Sequence, residues 1–283
     1  MSRESAVIRR EIAIIAIIAG LGIGILGGWF IPSPITAPRV SLLDQIIARG
    51  EFLVGTSADY PPFENKTFPA GEIVGFDVDL SQMIADEISA IAGKTITLTM
   101  VDIPFDSLIA ACKAGTVDML AAGMTYTTDR AAQLAASVTY VNVTQVVVAQ
   151  NASSITISSI DDVTAYIVGV QSGTVMYDEL GPGGLNMTVG VELIVYDNAN
   201  DLMVALDGGG IDLAYIDGPV FDAWEGVYDI KVILSTPPDP FALWTRHGEP
   251  ELLYVMNKVI FEGYHGETIF PVINLWFGNY TGP

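Results

Sequence analysis

Redox, metal and polyanion chemistry all lack raw material in this chain. A single cysteine, Cys112, in 283 residues leaves no partner for an internal disulfide and no clustered thiolates for zinc. Two histidines, His247 and His265, are too few for most metal cages, and no motif asks for a cofactor. Basic residues are scarce too. Twelve Lys plus Arg against 33 Asp plus Glu give a formal net charge of -21, which repels polyanions and excludes nucleic-acid binding as the main task. Hydrophobic residues make up 51% of the chain and aromatics 9%, enough for packed cores in one or two domains and too much for a disordered chain.

Charge is also absent locally. Residues 12–31 carry no charged side chain, and Arg3, Arg9 and Arg10 precede them. Twenty residues of helix would span about 30 Å, the depth of a bilayer core. An uncleaved anchor is preferred to a cleaved signal peptide, because Trp29, Phe30 and Pro32 stand where small exit residues would be expected. The basic flank places the N-terminus in the cytoplasm and the chain after Arg39 outside. Five Asn-x-Ser/Thr sequons, at Asn65, Asn142, Asn151, Asn186 and Asn279, agree with an extracellular glycoprotein; Ser/Thr-rich loops are the plainer alternative.

From residue 40 onward, strand patterns alternate with short helical ones, the mark of an α/β fold with mainly parallel sheets. Strands are expected at 52–57, 95–103, 117–122 and 140–149, with helices at 76–92 and from Phe105 through Cys112, the cysteine on an apolar face. A second unit follows, with strands at 166–171, 192–196, 211–216 and 230–234. Pro237, Pro238 and Pro240 are read as a boundary before a strand at 241–246 and two closing helices.

Several enzyme and ion motifs miss. Gly169-Val-Gln-Ser-Gly173 is not a nucleophile elbow. Asp77-x-Asp79-x-Ser81 lacks the glycine of a calcium loop, so both aspartates are read as first-turn helix charges favoured by the dipole. Gly208-Gly209-Gly210 follows a helix and reads as its stop.

What remains is a set of polar groups where strands end, the usual place for ligands in α/β sheets. Tyr60, Gly123, Thr125, Gln171, Thr174 and Asp217 all occupy such positions, and Arg130 stands out among only eight basic residues beyond residue 39. Each has a plain alternative: a surface ion pair for Arg130, an N-cap for Thr174, packing for Tyr60, a turn for Asp217.

Taken in order, Tyr60-Pro-Pro-Phe63-Glu64, Gly75-Phe-Asp-Val-Asp-Leu80, Phe105-Asp-Ser-Leu-Ile109 and Gly123-Met-Thr-Tyr-Thr-Thr-Asp-Arg130 resemble the extracellular solute-binding proteins of polar amino acid ABC importers, solute-binding protein family 3. Gln171-Ser-Gly-Thr174, Asp212-Leu-Ala-Tyr-Ile-Asp217 and Trp276-Phe-Gly278 extend the similarity over about residues 41–280. The resemblance implies a periplasmic-binding-protein-like fold of type II: two lobes joined by crossing strands near 141–146 and 235–241, closing on a ligand by hinge motion. The implied division is 1–39 for anchor and linker, 40–142 plus 239–283 for one lobe, and 143–238 for the other.

By the same resemblance, Arg130 binds a ligand α-carboxylate with help from the Gly123 amide, Thr125 and Thr174. Asp217 accepts from the α-ammonium, while Tyr60 and Phe105 wall the side chain near Gln171. The partners implied by the resemblance are a free amino acid and ABC permease subunits; the membrane is added by the uncharged run at 12–31. Ser57 stands where relatives that handle cationic or amide side chains often carry Asp, although Asp59 is close. Two rivals remain: a lyase or dehydratase on the same fold, and a ligand-sensing ectodomain.

Overall fold

Strands from the two halves of the chain meet in one eight-stranded sheet, in the order 97–102, 51–56, 119–120, 230–245, 135–150, 213–217, 167–171, 192–196. The computed structural model describes residues 39–186, 190–263 and 268–278. The expected anchor at 12–31, His265 and the sequon at Asn279 lie outside these. Among the described residues no helix is long and apolar enough to cross a membrane.

β1 (Glu51–Thr56) pairs in parallel with β5 (Thr97–Asp102) and β6 (Met119–Leu120). In the second half, β8 (Ile167–Gln171) pairs in parallel with β9 (Glu192–Tyr196) and β10 (Leu213–Asp217). Each half is thus parallel, as the alternating pattern predicts. The two long strands between them, β7 (Ala135–Gln150) and β11 (Ile230–Thr245), are antiparallel to each other and to their other neighbours, so the whole sheet is mixed.

β11 corrects the expected boundary at Pro237, Pro238 and Pro240. The strand runs through all three, with register shifts between Val232 and Leu234, Ser235 and Pro238, Phe241 and Ala242, and Ala242 and Trp244. Proline cannot donate to a ladder. Pro237 falls within the shift between Ser235 and Pro238, and Pro240 turns its carbonyl to the Tyr126 N–H (2.7 Å), so the strand continues through the prolines.

A small antiparallel sheet of β2 (Asp59–Tyr60), β3 (Glu64–Lys66) and β4 (Ile73–Val74) follows β1. It docks on the start of the helix Phe76–Ala92, where the N–H groups of Phe76 and Asp77 donate to the carbonyls of Pro62 and Phe63 (2.9 Å each). Gly75 is required at the junction: its φ is 150°, and a Cβ there would lie 2.1 Å from the Phe63 carbonyl oxygen. The helix buries Leu80, Ile84 and Ile88 on one stripe and stops at left-handed Gly93. Each of those side chains stabilises by about 1.5–3 kcal/mol, enough to hold the polar first turn of the same helix in the interior.

Asp77 stands in the first turn as expected, but it is fully buried, which a helix-start charge alone does not foretell. Asp79 accepts a hydrogen bond from the Trp276 indole (2.7 Å). Cys112 packs with Phe105, Leu108, Leu120 and Trp244 as expected, and burial pushes its thiol up to about 12. Around Phe63, ring centroids of Phe241 and Phe277 lie at 5.2 Å.

Candidate functional site

Every site residue expected from the sequence lines one cavity. β1 delivers Tyr60 by way of β2, β5 leads to Phe105, β6 leads to Gly123 and Thr125, β8 ends at Gln171 ahead of Thr174, and β10 ends at Asp217. Arg130 reaches in from the short helix Thr128–Ala131. Ser57, Asp59, Val175 and Met176 complete the lining. Free space among them is about 10 Å³, room for about one water. Admitting a larger molecule requires the walls to separate.

Arg130 is 6% exposed, not the surface ion pair of its plain reading. Thr127 caps its helix, the hydroxyl accepting from the Arg130 N–H (3.1 Å). The guanidinium donates through Nη1 to the Thr125 carbonyl (2.7 Å) and through Nη2 to the Gly173 carbonyl (3.0 Å), and lies 5.6 Å from the Phe105 ring centre. Burial lowers its pKa to about 10 against the pull of Asp178 and Asp217, so it remains a cation at neutral pH.

Asp217 is 4% exposed and accepts from the Tyr60 hydroxyl (2.7 Å) and the Gln145 amide (3.3 Å). Burial raises it to about 7; the Tyr60 and Gln145 bonds and then Arg130 oppose that rise. Asp59 is as thoroughly engaged. Ser57 Oγ donates to Oδ1 (2.8 Å), and Gln171 Nε2 (3.1 Å) and the Ala199 N–H (2.5 Å) donate to Oδ2. Burial is the main cause that raises Asp59 above the usual carboxylate range. The bonds Tyr60 to Asp217, Asp59 to Gln171 and Ser172 to Asp106 (3.0 Å) all join the first half of the sheet to the second.

One expected contact needs correction. The Gly123 N–H is not aimed at the cavity, because it donates to Asp77 Oδ2 at 2.7 Å; any polar contact of Gly123 with a ligand must use its carbonyl. Thr174 is the N-cap of Val175–Leu180, its hydroxyl accepting from the Tyr177 N–H (3.2 Å) and donating to the Gln171 carbonyl (2.8 Å). Sequence reasoning missed Gln145 and Tyr140 and gave Glu64, though named in a motif, no role. They reach the site or its backing through pairings across the sheets, which no local spacing reports.

Arg130 and Asp217, opposite charges from two halves of one sheet, thus line the same narrow cavity. The chain belongs to the bacterial extracellular solute-binding proteins, family 3, whose family model matches residues 52–279. It is similar to an arginine-binding extracellular protein of Bacillus subtilis, 33% identical over 62% of this chain and 64% of that relative. A histidine-binding periplasmic protein of Escherichia coli is 30% identical over 58% of this chain and 59% of its own length. The chain therefore spans less than two thirds of these two relatives, whereas its match to a putative ABC transporter arginine-binding protein of Escherichia coli, at 29% identity, covers 78% of this chain and 88% of that relative. Among solved structures, the holo form of ArgBP from T. maritima gives a TM-score of 0.71 at 30% identity, covering 83% of this chain and 99% of that one. An ancestral amino acid-binding protein described as a precursor of cyclohexadienyl dehydratase gives 0.70 at 27%, covering 84% and 100%.

Proposed function

We propose that this protein captures a free α-amino acid outside the cell and delivers it to an ABC permease, its two lobes closing around the ligand. One observation carries this reading: Arg130 from the first half and Asp217 from the second line the same cavity. A guanidinium fork suits an α-carboxylate, and a buried carboxylate suits an α-ammonium. Thr125 assists the carboxylate, the Gly123 carbonyl the ammonium, and Tyr60, Phe105, Gln171 and Thr174 shape the remainder. The lobes comprise 40–142 plus 239–283, and 143–238, with β7 and β11 as the hinge.

Asp59 supplies the negative charge that Ser57 does not, and it lines the cavity. L-arginine is accordingly the first ligand to try. Residues 12–31 tether the protein to the outer face of the membrane, and the sequons carry glycans; intact mass of native material tests both. A thermal-shift screen of the full chain in detergent against the common amino acids tests the function. At a concentration 100 times its dissociation constant, the ligand adds about 2.7 kcal/mol of stability. A screen in which none raises the melting temperature contradicts the proposal, and product formed from a bound amino acid supports the lyase instead.

A further inference from the structure

Behind the cavity wall, two carboxyl groups are buried together without a basic partner. Glu64 on β3 and Asp77 at the start of the helix Phe76–Ala92 are both 0% exposed. Asp77 Oδ2 accepts from the Gly123 N–H (2.7 Å) and from the Tyr140 hydroxyl (3.1 Å). Its Oδ1 and both oxygens of Glu64 meet no donor if both groups are carboxylates. Two adjacent charges in a dry interior, with three orphaned oxygens, would cost several kcal/mol. A single proton removes that cost. Each of the two carboxyls acts directly on the other, so a protonated Glu64 would offer a donor to the unpartnered Asp77 Oδ1.

The surroundings keep this proton in place. Facing the pair are Asp59 from β2 and Tyr140 from β7, with Asp217 of β10 acting on Tyr140; among the described residues no Lys, Arg or His is a main influence on either carboxyl. Burial first, then the Asp77 and Asp59 charges, raise Glu64 well above the usual range. Burial raises Asp77 to about 6, and the Gly123 and Tyr140 bonds hold it from going higher. Asp77 is therefore the member that ionises first, and Glu64 keeps the proton at neutral pH.

We infer that Glu64 and Asp77 hold one proton between them and act as positioning residues, fixing the Gly123 turn and the Tyr60 strand that wall the ligand cavity. Gly123 has φ 51°, a left-handed conformation, and even a Cβ there would press on ring atoms of Phe241 and Tyr60 at 3.3 Å. Such a turn needs an external anchor for its N–H, and Asp77 is that anchor. Glu64 is the register partner of Tyr60 across β2 and β3, so one pair braces both sides of the wall. The effect on affinity rests on the amino-acid-binding reading, whereas the shared proton does not.

Infrared spectroscopy of the full chain in detergent at pH 8.5, where Asp217 is ionised, tests the proton. Wild type shows a protonated-carboxyl stretch, and Glu64→Gln removes it. A wild type without the band, or a band that survives Glu64→Gln, overturns the inference. Because glutamine mimics the protonated acid, Glu64→Gln leaves the dissociation constant for L-arginine, or for whichever amino acid gives the largest thermal shift, within about threefold. A loss beyond tenfold in that variant would mean that Glu64 acts as an anion. Asp77→Asn, which weakens the Gly123 anchor, loses at least tenfold, and unchanged affinity would overturn the positioning role. Should no amino acid bind wild type, the proposed function fails while the infrared band still decides the pair.

Discussion

Asp217 and Asp77 are two buried aspartates that the same protein treats differently. Each accepts a hydrogen bond from a tyrosine hydroxyl and a second from an amide, and burial raises each far above an ordinary aspartate. Asp217 lines the cavity and feels the Arg130 charge; Asp77 lies behind the wall and feels Glu64. On the proposed reading, one takes a counter-charge from a ligand, and the other is completed by a proton shared with Glu64. A buried charge can thus be a receptor or a bracket, and what decides is whether its remaining partner comes from outside or from the next strand.

The largest effect that would separate the two roles comes from removing charge at the cavity. Arg130→Ala and Asp217→Asn each leave one end of the ligand unpaired in a closed cleft, which costs about 2–5 kcal/mol, roughly 30-fold to several-thousand-fold in affinity. Calorimetry on both variants should show that loss, and a change under threefold in either would remove it from the binding machinery.

Acidity gives the next effect. An ammonium ligand needs ionised Asp217, whose value of about 7 means that lowering the pH from 7 to 6 reduces affinity about fivefold and that binding at pH 7 releases part of a proton. Titrations in buffers of different ionisation enthalpy measure the release. Stability of the ligand-free protein moves in the opposite sense. The raised value favours the fold while Asp217 is protonated, so its contribution is complete below about pH 4 and is lost as pH rises through about 7. Asp217→Asn should flatten that part of the stability profile, and an unchanged slope would refute the assignment.

Glu64 follows the same sign over a longer range, since it too is raised. Glu64→Gln should gain melting temperature relative to wild type steadily from pH 5 to pH 8. A constant offset would mean only that packing had changed. The smallest effect is at Thr174: as an N-cap whose hydroxyl is already engaged, its replacement by alanine should lower stability by about 1 kcal/mol in a denaturant titration. An affinity loss far beyond that would give the hydroxyl a direct part in holding the ligand.

The residues around the cavity were legible in the sequence because strand ends concentrate polar groups, and Tyr60, Thr125, Gln171 and Asp217 each follow or end a strand pattern. The helix from Phe76 was legible too, since Leu80, Ile84 and Ile88 set its buried stripe. The burial of Asp77 was not legible, because a first-turn aspartate has the same local pattern whether it faces water or a neighbouring turn. Its burial is decided by Gly123 and Tyr140, 46 and 63 residues away. β11 was misread for a related reason: proline reads as a break, and only the pairing with the partner strand shows that the strand continues through it.

The central claim is that Arg130 and Asp217 grip opposite ends of one α-amino acid. Calorimetric comparison of the amino acid that most raises the melting temperature with its analogue lacking only the α-amino group tests it most directly. The analogue should bind at least 30-fold more weakly at pH 7.5, because Asp217 would be closed into the cleft without its counter-charge. Equal affinity for the two compounds would contradict the claim.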